Sequence, residues 1–531
     1  MNKIKVNQVG YPVGMKKTAC VSGRGKGSFK LVNADTGKAV LKGTLSSAKK
    51  DDLSGEWVRC ADFSAADVCG RYFLRCGLQR SPEFVISEKP YDDCLAVLLK
   101  AFWYQRCGTV LDDKHGSFTH ARCHSEKSRL YAKPDREYDM VGGWHDAGDY
   151  GRYAVTGAAA LGHLLYAFKL FPSAFTREIN LPESGNGVPD ILNECRFELE
   201  WLMKMQDSKD GGVYHKVTTE LFCGFILPEH DIADTLVFDK SVNATAHTAA
   251  AFALAAGVWR EYDGGFSDTL EKRAELAYAY AVKHENEPGF INPGRVNSGS
   301  YTDDDSSDDI FWAAAELYSL TGKSEYHNKI RQLYGIADTT GFRWNKIGGM
   351  GSLAYIFTSR SRDDIVFSAL RSSFLRDAEP LCMRALSGTG AAVSPEALVW
   401  GSNLAVAECG LKLIAADYLS PREEYRLAAL EQLSYLFGKN PMGLSYVTAV
   451  GTDSVCSPHH RFSSADNKTE PVPGLVVGGP DSRRTDEYVR WNVPEGTPPA
   501  KCYIDDEASY STNEVGICYN SAAIFLAAFF N

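Results

Sequence analysis

Phe84-Val-Ile-Ser-Glu-Lys-Pro-Tyr91 is the point at which this chain changes character. Before it, apolar and polar residues alternate in short runs separated by turn signals; after it, apolar residues recur at helical spacing over long segments. Upstream, Ile4 and Val6 alternate with polar neighbours, Ala19-Cys-Val21 ends in a glycine-rich turn, and Phe29-Lys-Leu-Val32 runs into Asn33-Ala-Asp-Thr-Gly37. Trp57 to Cys60, Tyr72 to Cys76 and Phe84 to Ile86 continue the pattern. About seven strands in so short a span predict a small sandwich of immunoglobulin type over residues 1–88. No Cys…Trp…Cys core signature is present, so the reading covers architecture alone.

Downstream, residues 89–531 read as one large all-helical domain. In the segment from Pro189 to Gln206, for example, Ile191, Leu192, Cys195, Leu199 and Leu202 share one face. About a dozen such segments are joined by loops of very unequal length and show no fixed-period repeat, which favours a closed helical barrel over an open solenoid.

The chain is 44% hydrophobic and 23% charged, an ordinary globular composition for its 531 residues. A net charge of -10 argues against a nucleic-acid partner. No apolar run reaches the roughly 18 residues a membrane helix needs. The opening Met1-Asn-Lys-Ile-Lys-Val-Asn-Gln8 lacks the apolar core of a signal peptide, so the expected compartment is the cytoplasm, with secretion if a leader has been removed. Fourteen cysteines follow no regular framework and read mostly as buried free thiols, Cys107 and Cys123 excepted.

Function sits on the long polar loops of such a scaffold. The densest is Val141-Gly-Gly-Trp-His-Asp-Ala-Gly-Asp-Tyr-Gly-Arg-Tyr153, whose glycines suit a tight turn. Asp146 and Asp149, three apart on it, are placed to share one polar atom, as activation of a water molecule requires; Asx-turns and helix caps collect the same residues. Cys107, Cys123, His124 and His145 offer the two thiolates and two imidazoles that zinc favours, or else two buried thiols and two surface histidines. Four protein ligands leave no open position, so such a zinc would be structural.

Glu514 lies where a polar loop gives way to an apolar final helix, as a helix-start charge or as a general acid in apolar surroundings. Ser457-Pro-His-His-Arg461 concentrates donors suited to a sugar or an anion, and reads equally as a solvated loop. The acidic run Asp303-Asp-Asp-Ser-Ser-Asp-Asp309 offers hard oxygen ligands for calcium or a capping loop ahead of a helix.

These stretches carry a resemblance. Gly142 to Tyr153, Pro458-His-His-Arg461 and Tyr503 to Ser521 resemble the three signature regions of glycoside hydrolase family 9, the inverting cellulases. Ala101-Phe-Trp-Tyr-Gln-Arg-Cys-Gly108, Gly185 to Glu194, Trp400-Gly-Ser-Asn403 and Gly438-Lys-Asn-Pro441 support it. Val6-Asn-Gln-Val-Gly-Tyr-Pro12 resembles the start of the immunoglobulin-like module of one subgroup.

The resemblance implies an (α/α)6 barrel after the sandwich. It implies Asp149 as general base, Asp146 as the second aspartate holding the water, and Glu514 as general acid. His459, Arg461, Trp400 and Tyr519 match substrate-contacting positions; Cys107, Cys123, His124 and His145 match a structural zinc site; Asp305, Asp308 and Asp309 lie near where some members hold calcium. Gly516 departs from the family's Ala, Ser or Thr and is expected to loosen the start of the last helix.

The expected activity is therefore inverting hydrolysis of β-1,4-glucosidic bonds in cellulose-type glucans, an endoglucanase, with about 6.5–9.5 Å between the Asp149 and Glu514 carboxyls. The alternative is an exo-acting cellodextrinase, β-glucosidase or amino-sugar glycosidase on short oligosaccharides. A non-catalytic carbohydrate-binding or adhesion protein, and a hydrolase using the zinc directly, are weighed against these. The partner is a β-1,4-glucan or cellodextrin, with no nucleic acid, membrane, protein partner or organic cofactor implied.

Overall fold

The computed structural model describes residues 4–387 and 389–531, and secondary structure changes from strand to helix between Ser87 and Asp92. Among the described residues, ten strands precede that point. β1 (Ile4–Lys5), β2 (Gly10–Pro12), β3 (Thr18–Ser22), β4 (Ser28–Asn33) and β5 (Ala39–Thr44) are followed by β6 (Lys49–Lys50), β7 (Trp57–Asp62), β8 (Gly70–Cys76), β9 (Gln79–Arg80) and β10 (Phe84–Ser87). They form two sheets, β1-β3-β7-β6 and β2-β10-β8-β4-β5, with β9 paired to β8. All these pairings are antiparallel except β2 with β10. Alternation turns Phe29, Leu31, Tyr72 and Leu74 into one buried cluster with Ile4, Val21 and Phe63, the arrangement that two half-buried sheets require. The sequence reading missed β6 and β9, which are too short to show alternation, and also β2 and β5.

Among the described residues, twelve helices have ten or more residues. They are α1 (Asp92–Tyr104), α2 (Ala154–Leu170), α3 (Asp190–Met205), α4 (Val242–Trp259), α5 (Gly264–Lys283) and α6 (Ser307–Thr321), then α7 (Ser324–Leu333), α8 (Gly348–Phe357), α9 (Asp364–Ser387), α10 (Ser402–Leu419), α11 (Glu423–Leu436) and α12 (Ile517–Phe529). The fold class is the expected one, an N-terminal β-sandwich followed by a large helical domain. Among the described residues, no helix is long and apolar enough to cross a membrane.

The chain divides into two compact units, residues Met1–Ala101 with Ala378–Asn531, and Phe102–Asp377. This division does not follow the sheet-to-helix change near residue 88.

In the first unit the sandwich meets the C-terminal segment through two sequence motifs. Gln8 Nε2 donates to Gly443 O at 3.1 Å, and Asn7 Nδ2 donates to Ser434 Oγ at 3.2 Å. Gly438, at φ +108°, lies against Gln8, and a Cβ there would stand 2.5 Å from Gln8 Nε2. Glycine is the residue that permits both the backbone conformation and the approach.

In the second unit α4 packs against α2, α5 and α6. Its sequence is apolar on nearly every face and almost every residue is buried, as for a helix enclosed by others. α8 packs on α6, where a Cβ on Gly351 would come within 2.8 Å of the Trp312 backbone. A small sheet completes this unit, with Arg152–Tyr153 pairing against Lys216–Thr218. That pairing sets the exit of the Val141–Tyr153 turn.

Candidate active site

The turn is held by backbone and buried charge rather than by its own helix. Gly143 has φ +78°, and a Cβ there would lie 2.5 Å from the Trp201 ring, so the glycine is required on both counts. Cys107 N donates to Gly143 O at 2.8 Å and His145 N to Gln105 O at 2.7 Å; Gln105 Nε2 reaches the carbonyls of His145 and Ala147 at 3.2 and 3.0 Å. Trp144 is buried and donates its backbone N–H to Glu198 Oε2 at 2.7 Å and its indole N–H to Glu194 Oε1 at 2.8 Å. Glu194 is compensated by the buried Arg106, which also grips Glu183. Every partner in this clamp depends on the others, since a buried charge left alone costs several kcal/mol.

Within this frame Asp146 and Asp149 differ. Asp146 is enclosed: Thr156, in the first turn of α2, donates to Oδ1, and the Tyr301 hydroxyl donates to Oδ2. Burial pushes its carboxyl up to about 7; the two hydroxyls pull it down, and the charge of Asp149 adds to the rise. Asp149 Oδ2 accepts from Gly151 N at 2.8 Å. Asp149 lines a small cleft with Tyr150, Thr218, Phe222 and Ser298. One oxygen is thus fixed by the turn while the buried group borders that cleft.

Tyr301 was missed by sequence reasoning. It sits in the loop before the acidic run, at φ +46°, with its ring edge-on to Tyr153 and to Trp344 at 4.7 and 5.0 Å. A bulky residue at positive φ is a strained conformation of the kind found at functional sites. No local pattern marks it.

Cys107, Cys123, His124 and His145 come together, with one ligand atom from each lying within 4.8 Å of the others. Cys107 Sγ is 3.7 Å from His124 Nδ1. His145 Nε2 is buried with no hydrogen-bond partner, and a buried imidazole nitrogen in that position wants a proton donor or a metal. On the far side of the cluster His124 Nε2 faces Asp231 Oδ2 at 3.4 Å, which fixes the ring so that Nδ1 points at the thiols. The donor set and its outer carboxylate fit a four-coordinate metal.

Asp305, Asp308 and Asp309 are not gathered into such a set. Asp308 Oδ2 accepts from Ile347 N at 2.6 Å, Asp309 meets His247 Nε2 and Asn243 Nδ2 at 2.6 Å each, and Asp305 Oδ1 accepts from Ser307 N. The run serves packing and helix capping, and the structure lends the calcium expectation no support.

In the other unit, Glu514 is half-buried at the end of a short helix, Tyr510–Asn513. It is paired in a bridge with His459, and its carbonyl accepts from Gly478 N at 2.8 Å. His459 donates Nδ1–H to Glu507 O, which leaves Nε2 directed away from that carbonyl. The Tyr510 ring lies 5.1 Å from Trp400 and 6.3 Å from His459, and Trp400 and Tyr510 are both partly exposed. The Tyr519 hydroxyl lies close to Gly401, next to Trp400; a Cβ on Gly401 would come within 3.1 Å of it, and Arg461 opens the short helix after His460. Gly516 has extended backbone, φ -160°, and a Cβ there would stand 3.1 Å from the Tyr519 ring. Glycine here gives the Tyr519 ring room.

An aspartate pair on a buried turn, in a chain that folds as a sandwich followed by a large helical domain, is the arrangement of a glycoside hydrolase. The model of glycosyl hydrolase family 9 matches residues 91–527, and that of the cellulase N-terminal Ig-like domain matches residues 1–81. The chain belongs to glycosyl hydrolase family 9.

A cellodextrinase from Butyrivibrio fibrisolvens is 36% identical over 99% of each chain. A crystallised thermostable endoglucanase from Alicyclobacillus acidocaldarius is 35% identical with a TM-score of 0.93, covering 100% of this chain and 99% of that one. A Zn-binding triple mutant of a family 9 endoglucanase is 33% identical with a TM-score of 0.93, covering 98% and 99%.

Proposed function

We propose that the protein hydrolyses β-1,4-glucosidic bonds of cellulose-type glucans in a single displacement with inversion. Asp149 takes a proton from the attacking water while Glu514, protonated, gives one to the departing glycosidic oxygen. The observation that carries the reading is the contrast between the two aspartates. Asp149 is held through one oxygen and lines a small cleft, whereas each oxygen of Asp146 accepts from a hydroxyl, Thr156 on one and Tyr301 on the other. Asp146 holds the water's second hydrogen-bonding site, and Tyr301 fixes Asp146. Trp400, Tyr510 and Tyr519 offer apolar faces to sugar rings, and His459 and Arg461 offer donors to hydroxyls.

Zinc is the metal that suits Cys107, Cys123, His124 and His145. Held by four protein ligands it supplies no open position, so its part is to tie the Trp144–Tyr153 turn to the loop that carries Cys123 and His124.

Endo action is the main reading, in line with the relatives named endoglucanases. A second reading, release of short products from cellodextrins, is favoured by the likeness of the whole chain to a cellodextrinase. Rapid viscosity loss of carboxymethyl-cellulose supports the first. Release of glucose or cellobiose without viscosity loss supports the second, and inactivity on both substrates overturns the proposed substrate class.

A further inference from the structure

Cys20 and Cys60 lie directly opposite each other on the neighbouring strands β3 and β7. The ladder shows which kind of pair they form. Phe63 N donates to Lys17 O and Gly23 N donates to Trp57 O, so the pairs 17:63 and 23:57 are hydrogen-bonded, and by alternation so are 19:61 and 21:59. The pair 20:60 falls between them. Consistently, Cys60 turns its own N–H and carbonyl away from β3, toward Ser46, at 2.9 and 3.0 Å. In a non-hydrogen-bonded antiparallel pair the Cα atoms approach to about 4.5 Å and both side chains leave the same face. That separation lies at the short end of the range a disulfide spans, about 4.4–6.8 Å.

Both thiols open into one cavity of about 250 Å³, bordered by Lys16, Lys49 and Arg59 on one side and Leu427 and Leu430 on the other. Cys20 is buried and Cys60 partly exposed, and both are free. The cavity gives an oxidant access to Cys60, and its basic rim favours an anionic one.

We propose that Cys20 and Cys60 are a redox-sensitive dithiol that closes to a cross-strand disulfide when the protein meets a disulfide oxidant of the glutathione class. The Cys60 thiolate attacks one sulfur of oxidised glutathione, the S–S bond breaks, and the first glutathione leaves as a thiolate. Cys20 then releases its proton and attacks the Cys60 sulfur of the mixed disulfide, expelling the second glutathione. Two protein thiols are oxidised by two electrons and one glutathione disulfide is reduced to two thiols. Burial pushes the Cys20 thiol up to about 12 and raises Cys60 as well, so closure is slow at neutral pH.

The test incubates the whole protein with graded ratios of oxidised to reduced glutathione, blocks free thiols, and maps disulfides by mass spectrometry of an acid-protease digest. The expected result is a Cys20–Cys60 peptide as the predominant protein disulfide, removed by dithiothreitol. It is accompanied by a rise in thermal midpoint that Cys60→Ser lacks. Two results would overturn the proposal: both thiols blocked as free at every ratio, or Cys60 stopping at the mixed disulfide with Cys20 still free. Because the map is read on the unmodified sequence, it stands whether or not the variant folds.

Discussion

The Tyr301 hydroxyl donates to Asp146 Oδ2 across 155 positions of sequence. With Thr156 on Oδ1 it gives each oxygen of Asp146 a hydroxyl donor, which orients that carboxyl for the water-holding role proposed for it. Tyr301→Phe removes one hydrogen bond to a carboxyl, a change of about 1.5–3 kcal/mol. The expected outcome is a kcat lowered roughly 10- to 100-fold, with KM nearly unchanged. Steady-state kinetics on cellotetraose check it, and an unaltered kcat would remove Tyr301 from the account.

Asp149→Asn keeps the size of the side chain and removes the proposed base. Turnover is expected to fall by at least about 10²-fold, the lower range for losing a general base. Cellodextrin binding by calorimetry should persist with little change. Lost binding together with a lowered thermal midpoint would show instead that Asp149 holds the turn.

Chelation tests the metal site. Extended dialysis against a strong chelator is expected to lower thermal midpoint and activity together, with zinc restoring both. Asp231→Asn, which loosens the His124 ring, should weaken metal retention about 10- to 100-fold. A protein isolated without metal and indifferent to the chelator would end the assignment.

Glu316 supplies a pH dependence distant from the site. It accepts from the Tyr166 hydroxyl at 2.6 Å and from Trp312 Nε1 at 3.0 Å, and burial raises its carboxyl to about 7. The folded state therefore binds a proton that the unfolded state has lost, between the ordinary carboxylate range and pH 7. Stability from this group is complete at low pH and declines as pH rises through 7. Glu316→Gln should flatten that decline, raising the thermal midpoint relative to wild type at pH 8 but not at pH 5. An identical pH profile in the variant would refute the point.

Much of this was readable in the sequence because the determinants are local. The strand-to-helix change near Ser87 shows as a change of period, and the Val141–Tyr153 turn shows its glycines and carboxylates side by side. The four metal-site residues were recognisable as donor types, although only folding brings Cys107 to within 3.7 Å of His124. Tyr301 was not readable, since its role lies in one tertiary hydrogen bond and a positive φ.

α8 escaped notice because the glycines of Gly348-Gly-Met-Gly351 look like a breaker, yet they are what lets it press on Trp312. Nothing in the sequence reveals the Ile347 amide or the His247 ring that Asp308 and Asp309 meet in the structure. The Cys20–Cys60 pairing appears only once register is known, because one residue of slip would turn the thiols to opposite faces.

The central claim is that Asp149 directs water at the anomeric carbon from the side opposite the departing group. Proton NMR of cellotetraose during the first minutes of hydrolysis, before mutarotation, tests it most directly. The account predicts that the new reducing ends appear as the α-anomer. Initial release of the β-anomer would contradict it, since retention needs a carboxylate nucleophile in place of an activated water.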